Sequence, residues 1–413
     1  MTKRLETINH QHQSGQQISF APYITHLRLV DFRNHALFDM HCQRGAVLLT
    51  GDNGVGKTNV LEAISMLGNG RGLRGDRLEN MHSMPPDEKN NEFSQQVSGQ
   101  VSEQASCSHP PQWQVLADIE GASGAMRAIV QYGAHDGGRR LQIDGERVRG
   151  FELLAGMLPQ LWLTPIMDRL FVDAANGRRK FLDRFAQTLN ARLGGHAAQF
   201  EKAMRERNKL LQLPNTALHN NRWLDALEDT MAVHGVAIAA ARLLALDALA
   251  GGIAQITQMA ENVFPQAQLA LEGMLEADLR HGSALEVEDA YRAHLATHRG
   301  ADAAAGRCLH GPHRSDLRVT HATKAMPAAA CSTGEQKALL VALVLAQAHS
   351  VAGRTGIVPL LLLDEVAAHL DSARRQALAA ILADLGGQNW ITGTDISLLS
   401  GFGMVASHIT MGA

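Results

Sequence analysis

The chain has 413 residues, a formal net charge of −3, 45% hydrophobic residues and 4% aromatic residues. That length allows a large core and more than one compact unit. The charge does not suit a strong nonspecific binder of nucleic acid, which needs clustered Lys and Arg, and so few aromatics argue against a stacking platform for single strands. No stretch approaches the roughly 20 apolar residues that cross a bilayer, and the polar start of the chain, Met1 to Ile18, is not expected to act as a leader. Four scattered cysteines (Cys42, Cys107, Cys308, Cys331) without a CxxC pair fit free thiols in a reducing cytoplasm.

In chain order, residues 1–21 are Gln- and His-rich and are expected to form a disordered tail. Residues 22–167 form the first half of a core. Within it, Ala46 to Leu49 is a short apolar run suited to a buried parallel strand. Directly after it comes Gly51-Asp52-Asn53-Gly54-Val55-Gly56-Lys57-Thr58, which matches G-x-x-x-x-G-K-[ST]. Val60, Leu61, Ile64 and Leu67 then recur at helical spacing. Strand, glycine loop and helix together specify a phosphate cradle. The glycines let successive N–H groups turn inward, and the helix N-terminus adds partial positive charge. Lys57 would reach the β- and γ-phosphates, and the Thr58 hydroxyl would ligate Mg2+ of an ATP complex. Residues 84–111, rich in Pro, Ser, Gln and Asn, suit a mobile insertion. Trp113 to Val148 suits hairpins, with an Asp144-Gly145 turn.

Residues 168–304 suit a helical lobe, with helices expected over Phe200 to Leu213 and Trp223 to Leu249. They lack sustained a/d heptads, which excludes a long coiled coil. Basic groups recur at Arg71, Arg74 and Arg77, at Arg139 and Arg140, at Arg178 to Lys180, and at Arg205, Arg207 and Lys209. Each suits either a solvated face or one wall of a DNA groove. Among the 20 histidines, His310 and His313 lie beside Cys308, but the Pro312 loop between them would position metal ligands poorly.

Residues 305–413 return to the core. Cys331-Ser332-Thr333-Gly334-Glu335-Gln336-Lys337 precedes an apolar helix, with capping-box spacing between Ser332 and Glu335. Leu360 to Leu363 reads as a strand buried on both faces and ends in Asp364 and Glu365. Ligands in open α/β sheets bind at the carboxyl ends of such strands. Asp364 would hold Mg2+, and Glu365 would polarise an attacking water.

The order P-loop, S-T-G-E-Q, L-L-L-L-D-E and then His369-Leu370-Asp371 resembles the ATP-binding-cassette ATPases. Leu27 to Asn34, Thr164 to Leu170 with Arg178 to Arg184, and Gly311 to Leu317 are similar to the signatures of the RecF family. The resemblance implies an α/β P-loop fold of ABC-ATPase type with an inserted compact helical lobe. It implies that Ser332 and Gly334 reach the γ-phosphate of a partner subunit's ATP in a head-to-tail dimer. Asp371 then falls at the D-loop position, and Arg33 and Asn34 contact the adenosine side.

By the same resemblance the chain would bind duplex DNA near single-strand gaps as an ATP-induced dimer and promote RecA loading with RecO and RecR. Three positions depart from the cassette pattern. Thr333 replaces a glycine, Thr394 falls near the missing switch histidine, and the Q-loop glutamine is absent, with Gln160 and Thr164 the nearest residues. Slow hydrolysis is the expected consequence. A non-hydrolysing DNA-binding module and a transporter-type ATPase are the alternatives.

Overall fold

The computed structural model describes residues 20–83, 112–133, 137–213, 221–260, 263–395 and 405–412. The expected insertion 84–111 lies outside these residues, as does the expected tail up to residue 19. Phe20 bridges to Ile357 and Ala21 is buried, so the last two residues assigned to the expected tail pack against the core.

A long antiparallel pair opens the chain, β1 (Tyr23–Phe32) and β2 (His35–His41). The P-loop strand β3 (Ala46–Thr50) and helix α1 (Lys57–Ser65) follow. Next comes an antiparallel run of β4 (Trp113–Gly121), β5 (Gly124–Tyr132), β6 (Arg140–Ile143) and β7 (Glu146–Val148). The expected Asp144-Gly145 turn joins the last two, with φ of 51° and 86° as a type I′ turn requires. Trp113, Val115, Ala117 and Ile119 alternate inward along β4, the period-2 pattern of a half-covered sheet. The six strands pair in the order β2-β1-β4-β5-β6-β7.

After α2 (Glu152–Met157) and β8 (Gln160–Leu163) the chain turns helical, with α3 (Ala175–Leu189), α4 (Leu193–Leu211) and the 39-residue α5 (Asn221–Met259). This lobe is not wholly helical. It contributes β9 (Ala267–Glu272) before α6 (Met274–Asp278), α7 (Ala284–Thr297) and α8 (Arg299–Ala305). β9 pairs with β10 (Asp316–His321), which pairs with β11 (Met326–Pro327) in a three-stranded sheet. Then come α9 (Thr333–Thr355), β12 (Leu360–Leu363), α10 (Ser372–Leu385), β13 (Asn389–Gly393) and β14 (Val405–Thr410).

The parallel sheet, ordered β14-β3-β13-β12-β8, divides two hydrophobic cores. Leu361 and Leu363 of β12 face the core shared with the lobe and α9. Leu360 and Leu362 face the core shared with α1 and the antiparallel sheet. An unbroken apolar run is what a strand covered on both faces needs, because each residue parity meets a different core.

Two helices, α5 and α9, are long and apolar enough by length and composition to cross a membrane, contrary to the sequence expectation. Within the fold Arg242 is buried in α5, bridging Asp183 and Glu276. The two helices also touch closely. The Ser350 hydroxyl donates to the Ala248 carbonyl at 2.8 Å, and a Cβ on Gly252 would collide with the Ala346 carbonyl.

Candidate nucleotide-binding site

The P-loop starts where β3 stops. Gly51, Gly54 and Gly56 take φ of 144°, 90° and 102°, the left-handed region that glycine enters without steric cost. At Gly56 a side chain is excluded on a second ground, since a Cβ would lie 2.6 Å from the Asn34 amide and would also meet His35. The β1–β2 turn is thus pressed against the loop. Asn59 donates to Asn34 Oδ1 at 2.7 Å, and His35 Nε2 donates to the Gly56 carbonyl at 3.2 Å. Burial pushes the His35 imidazole below its ordinary pKa, which keeps it neutral in this role. Lys57 is buried, and its ammonium donates to the carbonyls of Gly51 at 2.6 Å and Asp52 at 2.7 Å. Asp52, Asn53 and Gly54 are exposed and Val55 is half-buried.

The strand ends supply the rest. β3, β13 and β12 are parallel neighbours, with Thr50 opposite Gly393 and Ile391 opposite Leu363. That register carries Asp364 and Thr392 to the same edge. Thr58 Oγ1 lies 3.0 Å from each Asp364 carboxylate oxygen, and Thr392 Oγ1 donates to Asp364 Oδ1 at 2.7 Å. The same Thr392 oxygen accepts the Glu365 N–H at 2.9 Å. Glu365 itself has φ 51°, an uncommon backbone for a non-glycine and a strain that collects at functional positions. The Asp364 carboxylate and the Thr58 hydroxyl are hard oxygen donors, which suit Mg2+. Among the described residues neither Asp364 nor Lys57 has an oppositely charged side chain within ion-pair distance.

Four sequence expectations find their places here. Thr394, the expected stand-in for the switch histidine, is exposed just past β13. The β13 register brings Thr392, which the sequence did not single out, to the Asp364 carboxylate. Gln160 pairs with Leu360 at the start of β8, the far end of the sheet from the site. Thr164 directly follows β8, next to the level of Asp364, whose N–H bonds the Leu163 carbonyl. Arg33, φ 58°, spends its guanidinium on Glu62, Asp76 and the Asn80 carbonyl, so a contact with adenosine would require one of these to be exchanged.

Ser332, Thr333 and Gly334 are exposed at the α9 N-terminus, and a Cβ on Gly334 would meet nothing within 4 Å. The Ser332 N–H and hydroxyl both donate to Glu335 Oε2, at 3.1 and 2.9 Å. The Lys324 ammonium, with those two donors, holds the Glu335 carboxyl down to about 2. Asp371 caps α10 by accepting the Arg374 N–H at 2.8 Å. No hydrogen bond among the described residues joins Ser332, Gly334 or Asp371 to the P-loop.

Several basic groups prove to be neither solvated faces nor free walls of a groove. Arg139 donates to the carbonyls of Met66, Gly68 and Gly70. Arg178 pairs with Asp316, and Arg179 donates to the Ser315 carbonyl. Arg207 is wholly buried between Glu228 and Asp302. Arg71, Arg77, Lys180, Arg205 and Lys209 remain exposed.

Residues 23–397 match the family model described as RecF/RecN/SMC N terminal domain. The chain is 43% identical over 391 residues to the DNA replication and repair protein RecF of Mesorhizobium japonicum, covering 94% of this chain and 96% of the relative. It is also 43% identical over 376 residues to that of Brucella suis biovar 1, covering 91% of each. Among solved structures, the recombination mediator protein RecF with ATPrS superposes with TM-score 0.75 at 20% identity, over 93% of this chain and 95% of that one. Its ATP form gives 0.74 at 20% identity, over 94% of each. The P-loop, the parallel sheet of ABC-ATPase type and these matches over nearly the whole chain lead to one conclusion: the chain belongs to the RecF family.

Proposed function

We propose that the protein is a cytoplasmic DNA replication and repair factor that binds ATP with Mg2+ at the P-loop and, as an ATP-induced dimer, engages duplex DNA near single-strand gaps. The observation that carries this reading is the pair of uncompensated buried charges, Lys57 in the loop and Asp364 at the strand ends. A buried charge without a partner is costly, and a magnesium nucleotide supplies an anion for one and a cation for the other. The matched relatives are named for DNA replication and repair, and a RecF structure of this fold is described with ATP in the RecFOR pathway.

In this reading Gly51 to Thr58 would wrap the phosphates, and Thr58 and Asp364 would hold Mg2+, which would offset phosphate charge. Thr392 fixes the Asp364 carboxylate and the Glu365 backbone, so that Glu365 can take a proton from water. Ser332 and Gly334 are exposed, as a contact across a dimer requires, and Asp371 lies at the following D-loop. ATP that touches both subunits only when they are closed shifts the population toward the closed dimer. RecO and RecR are the partners, and RecA loading at the gap is the outcome.

Binding of the Glu365→Gln protein to a gapped duplex, followed by fluorescence anisotropy with and without ATP, tests this. Binding only with ATP is expected. Equal binding without ATP would favour a DNA-binding module that does not use the nucleotide as a gate.

A further inference from the structure

Among the described residues, two clusters of potential metal-ligating side chains lie outside the P-loop, and one of them keeps open lone pairs. His294 on α7, His298 just after it and His310 on the loop leading to β10 each place one ring nitrogen within 4.8 Å of the other two. The His294 and His298 rings stack at 3.8 Å between centroids, and His310 meets His294 edge-on at 4.5 Å. Spacing i, i+4 puts the first two on one helical face. The third arrives because the chain turns back after α8, through Cys308, whose thiol donates to the His310 carbonyl.

The hydrogen bonds leave lone pairs where a metal could use them. His298 Nδ1 lies 2.8 Å from the His294 carbonyl. A carbonyl can only accept, so Nδ1 carries the proton and Nε2 of the neutral ring presents its lone pair. This is the arrangement that orients metal-ligating imidazoles. His294 Nε2 is buried and has no hydrogen-bond partner. A buried polar atom left unpaired costs about 1–3 kcal/mol, so its position calls for an explanation. The other histidine–carboxylate cluster, His26 with Asp39 and His41, lacks this feature, since both His26 nitrogens are engaged, by Asp39 and Asp118.

We infer that His294, His298 and His310 form a binding site for one divalent transition-metal ion of the zinc class, held by three imidazole nitrogens. Borderline metals favour such a donor set, whereas Mg2+ prefers the oxygen donors near Thr58 and Asp364. Zinc–nitrogen bonds of about 2.0–2.1 Å bring tetrahedral ligand atoms well inside the 4.8 Å that bounds them here, an adjustment within reach of ring rotation. All three residues are half-buried, which leaves a way in for the ion and a place for a water as fourth ligand. The bound ion would fasten the end of α7 to the loop that enters β10, and so tie the lobe to the core. The site is independent of the nucleotide reading.

The test is titration of the metal-free, tag-free full chain with Co2+, followed by its visible absorption band, and displacement by Zn2+. The expected result is one tight equivalent with a band of low-coordinate cobalt. His310→Ala and His298→Ala should each weaken it by at least the roughly tenfold that a change merely beside a ligand produces. His196→Ala, in the separate His196–His234 pair, should leave it unchanged. Absence of a band at one equivalent, or a band that survives both His310→Ala and His298→Ala, would overturn the proposal and leave the rings as a packing stack.

Discussion

The parallel-sheet edge and the helical lobe treat buried charge in opposite ways. In the lobe the two least exposed arginines have their acids: Arg207 meets Glu228 and Asp302, and Arg242 meets Asp183 and Glu276. At the sheet edge Asp364 is 3% exposed and, among the described residues, its carboxylate is answered by the hydroxyls of Thr58 and Thr392 and Lys57 by carbonyls, with no opposite charge. A closed set of charges holds a fold together. An open set is completed by something from outside. The difference separates residues that build the molecule from residues that await a ligand.

The largest expected effect breaks the closed set. Arg207→Ala leaves Asp302 buried without its cation and Glu228 with Arg299 alone, and should cost about 3–5 kcal/mol in denaturant unfolding. ATP affinity of the folded fraction should stay at the wild-type value. A matching loss of ATP affinity would show that the two regions are not separable.

Thr392→Val sharpens the comparison from the other side. It removes the donor to Asp364 and the acceptor of the Glu365 N–H, at a cost of about 1–3 kcal/mol for the groups left unpaired. Its effect on single-turnover hydrolysis should exceed its effect on ATP affinity, because Thr392 positions the carboxylates and does not touch the P-loop. Equal losses in both would place its role in binding alone.

A smaller change probes a region outside both. Gly145→Ala, at φ 86° in the β6–β7 turn, should destabilise by roughly 1 kcal/mol, read as a shift in the thermal midpoint with nucleotide binding intact.

The smallest single-site effect is in pH. Burial lowers the pKa of His35, His313 and His349 from 6.5, so below that value the unfolded chain binds protons that the folded chain refuses. Stability from these groups is present above pH 6.5 and falls as pH drops through it, with denaturation midpoints at pH 7.5 and 5.5 as the measurement. A midpoint that rises on acidification would contradict these directions.

Much of the sheet edge was legible in the residues, because its signals are local. The spacing of Gly51, Gly56, Lys57 and Thr58 follows directly on an apolar strand, and Leu360 to Leu363 ends in its acids. Thr392 escaped because only the pairing of β13 between β3 and β12 shows which threonine meets Asp364. Arg207 escaped for a related reason. In sequence it belongs to a basic run, and its acids lie 21 and 95 residues away. β9 was hidden by helices on both sides and gains its pairing only when β10 arrives. His294 and His298 carried a visible i, i+4 spacing, but their third neighbour comes from a loop whose return path the sequence does not disclose.

The most direct measurement of the open-charge account is titration of a fluorescent ATP analogue, with Mg2+, into wild type and Lys57→Ala. Wild type should bind, and Lys57→Ala should lose on the order of 100-fold or more in affinity as the phosphate loses a buried charge partner, with an unfolding midpoint no lower than wild type. Equal affinity in the two proteins would contradict the claim that Lys57 awaits a nucleotide.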